Sequence, residues 1–90
     1  MSELPALTPR QGDLLRAIKA HISARGYAPS QRELCDLLGV NSTNSVYETQ
    51  ARLIRRGMLR RESFTARALV VTELGERWLA ANPAPPPEAA

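Results

Sequence analysis

Ninety residues allow one domain, which buries only about two-thirds of its unfolded surface and leaves no room for a second, catalytic domain. A single cysteine, Cys35, excludes an internal disulfide framework, and a single histidine, His21, excludes a cluster of His, Cys and acid with metal-ligand spacing. No nucleophilic constellation is visible and no apolar run has the length of a signal peptide or a membrane span, so the chain reads as a cytosolic non-enzyme that requires no cofactor.

The formal charge is +3, and all but one of the basic residues are arginine. Between positions 52 and 67, Arg52, Arg55, Arg56, Arg60, Arg61 and Arg67 face one acid, Glu62. Such clustering is the footprint of a surface that meets phosphates, although arginines near a helix end also answer the helix dipole.

In chain order, Thr8-Pro9-Arg10-Gln11 starts the first helix, with a capping threonine three residues before a glutamine and proline where its missing N–H costs nothing. Leu14, Leu15, Ile18 and Ile22 recur at helical spacing, so one face is buried, and Gly26 stops the helix. Ser30-Gln31-Arg32-Glu33 is a second capping box, followed by an apolar stripe of Leu34, Leu37 and Leu38 before Gly39. Cys35, between two of these leucines, reads as a small buried apolar residue, with a thiol switch as the alternative.

The next segment, "GVNSTNSVYETQARLIRRG", has two unlike ends. Asn41 to Ser45 are small polar residues that compete for backbone hydrogen bonds and so favour a helix start, with Ser42 as the N-cap. Val46, Leu53 and Ile54 form an inward stripe running through Gln50, and Asn44, Ser45, Tyr47, Glu48 and Arg52 occupy the opposite face. Capping needs one such residue, whereas small side chains at a helix start also let the backbone approach a base-pair edge. Arg55 and Arg56 at the other end suit phosphates, which position such a helix.

Gly57 ends the third helix, and Met58-Leu59 and Leu69-Val70-Val71 suit two strands of a hairpin. Between them "RRESFTAR" has the composition of a wing. Its Arg61, Phe64 and Arg67 can lie along a nucleic-acid backbone or reach a minor groove; Phe64 can equally fold back on its own hairpin. Thr72 caps a last helix bearing Leu74, Trp78 and Leu79, and the Pro/Ala-rich stretch 82–90 reads as a disordered tail behind a domain spanning 1–81.

This order defines the expected fold class, mainly α with a small β-hairpin: a winged helix-turn-helix with a three-helix core, a wing and an extra C-terminal helix. "LTPRQGDLLRAIKAHISARGYAPSQRELCDLLGV", "NSV" and "RLIRRGMLRR" together resemble the N-terminal DNA-binding domain of the LexA repressor family, whose members regulate the bacterial DNA-damage (SOS) response. The resemblance spans about Leu7 to Val71. It implies a repressor whose third helix enters the major groove, with bases read by the matching positions Ser42, Asn44, Ser45, Tyr47 and Glu48. It also implies phosphate contacts from Arg10, Ser30, Arg32 and Arg56, to which the charge pattern adds Arg52 and Arg55. Asparagine can bond adenine bidentately and glutamate can accept from a cytosine amino group, which favours Asn44 and Glu48 over the supporting serines. Tyr47 suits a thymine methyl or a phosphate, or packing against the hairpin.

Three features depart from the family pattern. Gln50 stands where the family usually has leucine, and an unpaired buried amide costs about 1 to 3 kcal/mol, so it must find a partner or lie at the domain edge. The self-cleaving domain with its serine–lysine dyad does not follow, so self-cleavage is not expected of this polypeptide, and a stand-alone regulator of phage or plasmid type is favoured over an excised domain. In place of a linker, "TELGERWLA" resembles the closing helix of other winged-helix regulators; if exposed, Trp78 and Leu79 are candidates for a homodimer contact, and otherwise they complete the core.

The leading expectation is a sequence-specific regulator of double-stranded DNA, acting as a homodimer at least on DNA. The alternative is a winged-helix module that docks on a host regulator or polymerase and uses Tyr47 and Phe64 as exposed aromatics. An RNA-binding role lacks the aromatic platform that single-stranded RNA requires.

Overall fold

Each helix start that the sequence signals carries its cap in the computed structural model, which describes residues 4–62 and 69–83. The order is α1 (Pro9–Arg25), α2 (Gln31–Leu38), α3 (Thr43–Arg55), β1 (Leu59–Arg61), β2 (Leu69–Val71) and α4 (Glu73–Ala81). At α1 the Gln11 amide N–H donates to Thr8 Oγ1 at 3.2 Å while Thr8 N–H donates to Gln11 Oε1 at 3.1 Å. Ser30 and Glu33 repeat this reciprocal pair at 3.2 and 2.8 Å. Ser42 Oγ accepts from Ser45 N at 3.1 Å, and Thr72 Oγ1 accepts from Gly75 N at 3.0 Å. Each pairing satisfies backbone donors that a helix start otherwise leaves orphaned.

The core gathers Leu14, Leu15 and Ile18 of α1, Leu34 and Cys35 of α2, Val46 and Leu53 of α3, and Met58, Leu59, Leu69 and Trp78 from the C-terminal half. α1 packs against both α2 and α3, and α3 carries the chain into β1. The hairpin is antiparallel, with Leu59 opposite Val71, Arg60 opposite Val70 and Arg61 opposite Leu69.

Several expectations are corrected here. Leu37 does not join the buried stripe: it is 56% exposed, because Leu34, Cys35 and Leu38 set the inward arc of α2 and Leu37 lies about 100° from its centre. Met58 is buried but precedes the first strand; its N–H donates to Leu53 O at 2.9 Å and its carbonyl accepts from Thr72 N at 3.1 Å, so it links α3 to the hairpin's far end.

Of the two alternatives for Trp78, the chain by itself shows the core position. It is 6% exposed, lies across Gly12, and has the Arg16 guanidinium 5.2 Å from its ring centroid, so its large apolar surface closes the α1–α4 contact. Leu79 is half-buried against the same core. Asn82, which the sequence reading assigns to the tail, is tied to the fold: its Nδ2 donates to Trp78 O at 2.9 Å and its carbonyl accepts from Arg16 Nε at 3.1 Å. The rest of the expected tail, from residue 84, lies outside the described residues.

Candidate nucleic-acid interface

α2 ends at Gly39, whose φ of 71° turns the chain out of the helix, and Val40 to Ser42 lead directly into α3. This short connection fixes α2 against α3 and leaves the opposite face of α3 uncovered. Asn44, Tyr47, Glu48 and Arg52 are exposed there, and Ser45 is half-buried.

Hydrogen bonding separates these residues. Ser42 Oγ is used as the cap acceptor, and Ser45 Oγ accepts from Arg10 Nη1 at 3.3 Å, which brings the start of α1 beside the start of α3. Thr49 Oγ1 donates back to Ser45 O at 3.0 Å. Among the described residues, Asn44, Tyr47 and Glu48 have no side-chain hydrogen bond or ion pair, so their polar atoms face solvent without an internal partner. The expected base-reading set thus divides into two serines that organise the helix start and three residues whose hydrogen-bonding capacity is unspent among the described residues.

The basic residues divide in the same way. Arg16 pairs with Asp13 at 3.2 Å, Lys19 with Glu76 at 2.7 Å, Arg60 with Glu62 at 2.8 Å and Arg77 with Glu73 at 3.4 Å. Arg60 therefore leaves the basic cluster that the sequence suggests. Arg10, Arg32, Arg52, Arg55 and Arg56 are all exposed and have no acidic partner among the described residues. Arg52, Arg55 and Arg56 line one concave surface with Gln11, at the junction of α1 and α3. Like-charged guanidinium groups left unpaired around a concavity create a positive potential that favours an anion.

Ser30 has its hydroxyl in the α2 capping box, and Arg32 projects from the same helix start. Arg61 closes β1; Phe64 and Arg67 lie outside the described residues. The sequence did not foresee the Arg10–Ser45 bond or the partner of Gln50, because both contacts join positions distant in the chain. Gln50 itself carried a signal, as an amide on an otherwise apolar stripe. Among the described residues no group of His, Cys, Asp and Glu can hold a metal ion, and no helix is long and apolar enough to cross a membrane.

A capped short helix, a tight turn, a third helix with a polar uncovered face, and a two-stranded hairpin define a winged helix-turn-helix protein. A family model described as the LexA DNA binding domain matches residues 4–68. The chain belongs to this LexA DNA-binding-domain family. It is 44% identical over 78 residues to the LexA repressor of Mycobacterium leprae (strain Br4923), covering 87% of this chain and 33% of that protein. The identity is 39% over 67 residues to the LexA repressor of Bacillus subtilis (strain 168), covering 74% and 33% respectively. To the LexA repressor of Ligilactobacillus salivarius (strain UCC118) it is 37% over 70 residues, covering 78% and 34%. The chain thus spans about a third of the length of the curated relatives it matches.

Proposed function

We propose that this chain is a sequence-specific, double-stranded-DNA-binding transcriptional repressor that lays the start of α3 in the major groove and acts as a homodimer on paired half-sites. The observation that carries this reading is the sorting at the interface: among the described residues, Asn44, Tyr47 and Glu48 keep free polar atoms beside arginines that lack acidic partners. The names of the relatives, LexA repressors, supply the direction of regulation.

In this mechanism Arg10, Arg32, Arg52, Arg55 and Arg56 neutralise phosphates and release counterions, which gives affinity without sequence preference. Ser30 adds a hydroxyl donor to the backbone, and Arg61, with Phe64 and Arg67 beyond it, extends the contact along the wing. Discrimination comes from Asn44 on an adenine edge, Glu48 on a cytosine amino group and Tyr47 against a thymine methyl, with the Ser42 and Ser45 hydroxyls as secondary donors. No step requires a cofactor or covalent chemistry.

Titrating the protein against random duplexes at two salt concentrations, with sequencing of the bound fraction, tests this. Enrichment of a short repeated half-site, with affinity falling steeply as salt rises, is the expected result. Binding that ignores salt and enriches nothing would overturn it and favour a protein partner.

A further inference from the structure

Capping and apolar packing account for most of the α2–α3 contact but leave one interaction unexplained. Gln50 stands on the inward face of α3 between Val46 and Leu53 and is 1% exposed. Its Oε1 accepts a hydrogen bond of 2.8 Å from Nε2 of Gln31, the first residue of α2. The pair is incomplete, because Gln31 Oε1 and Gln50 Nε2 are both buried without a partner. Turning both amides over reverses the bond and orphans the other two atoms, so no arrangement of one Gln–Gln bond satisfies both groups.

Such a pair weakens the core relative to two well-packed apolar side chains, since each orphaned atom has lost its water. What it supplies is direction. An apolar contact tolerates sliding and rotation of one helix over another, whereas a buried hydrogen bond of fixed length ties one point on α2 to one point on α3. The two points matter: Gln31 lies between Ser30 and Arg32, which face phosphate in the reading above, and Gln50 lies on the turn following Tyr47 and Glu48.

We infer that Gln31 and Gln50 are positioning residues for base discrimination. They lock the crossing of α3 against the phosphate-facing start of α2, so that seating α2 on the backbone brings Asn44, Tyr47 and Glu48 into register with base edges. This inference rests on the proposed DNA reading. Base hydrogen bonds tolerate displacements of only about 0.5 Å, whereas flexible arginines follow a phosphate over a wider range, so loosening this joint affects discrimination before affinity.

The test compares the whole chain with Gln50→Leu and with the double variant Gln31→Leu/Gln50→Leu, measuring thermal melting and affinity for a selected duplex and a random duplex across salt concentrations. The single variant, which strands Gln31, is expected to melt lower, and the double variant at or above the parent. In the double variant the ratio of specific to random affinity is expected to fall about tenfold, comparable to one impaired base contact, with random-duplex affinity and salt slope unchanged. If the single variant fails to fold, the double variant carries the test alone. A double variant that folds and keeps the parent's discrimination overturns the inference, as does one that loses equal affinity for both duplexes. A parent that shows no sequence preference is a different result, which sinks the DNA reading itself and this inference with it.

Discussion

Gly75 of α4 lies against Met58, at the point where the hairpin returns to the helical core: a Cβ at position 75 would stand 2.8 Å from Val71 Cγ1 and 3.3 Å from the Met58 carbonyl carbon. The Met58 carbonyl cannot withdraw without breaking its hydrogen bond from Thr72 N. Alanine within a helix is ordinarily favoured over glycine by about 1 kcal/mol, while overpacking costs about 1 to 3 kcal/mol. The steric term is the larger here because backbone, rather than a flexible side chain, opposes the methyl group. Gly75→Ala is therefore expected to lower stability by up to about 2 kcal/mol, measured by chemical denaturation, and an increase in stability would show that α4 can shift freely.

Asn44 and Arg56 separate the two kinds of DNA contact. Asn44→Ala is expected to cost about 1 to 3 kcal/mol on the preferred duplex and little on random sequence, relaxing the choice at one base position. Arg56→Ala is expected to weaken all sequences alike and reduce the salt slope by about one. Equal losses on specific and random duplexes for the asparagine variant would remove it from the base-reading set.

Ser42 and Asn44 are close in sequence but differ in what their side chains already do. Ser42 Oγ caps α3, so Ser42→Ala is expected to destabilise the fold by about 1 kcal/mol, whereas Asn44→Ala leaves stability nearly unchanged. Thermal melting of the two variants side by side makes the comparison. A stability loss at Asn44 as large as at Ser42 would mean that Asn44 holds the helix start.

Trp78 fills the space between α1 and α4, packed on Gly12 and under the Arg16 guanidinium. Trp78→Ala is expected to cost about 3 to 5 kcal/mol through the cavity left behind. Trp78→Phe, which keeps an aromatic ring in the site, is expected to cost less and to leave the oligomeric state unchanged in sedimentation. A folded Trp78→Phe protein that dissociates a parent dimer would return this residue to an interface.

The sequence by itself determined the elements and their order. Capping residues at Thr8, Ser30, Ser42 and Thr72 act on backbone groups three positions away, and the stripes of α1 and α3 repeat at helical spacing, so both signals are local. The polar start of α3 and its basic end were legible for the same reason. Tertiary structure alone decided which side of a marginal residue faces the core. Leu37 is excluded by the arc that its neighbours set on an eight-residue helix, and Trp78 is drawn inward by a glycine that leaves room for its ring. Two side-chain contacts also waited for the fold, because Lys19–Glu76 and Arg10–Ser45 join residues far apart in the chain, whereas the Arg16–Asp13, Arg60–Glu62 and Arg77–Glu73 pairs are local. Gln50 lies on the boundary between the two: its sequence demanded a partner for a buried amide, and only the crossing of α2 over α3 selected Gln31. Hydrogen-bond demand is a property of the residue, but its satisfaction depends on which donors folding brings within about 3 Å.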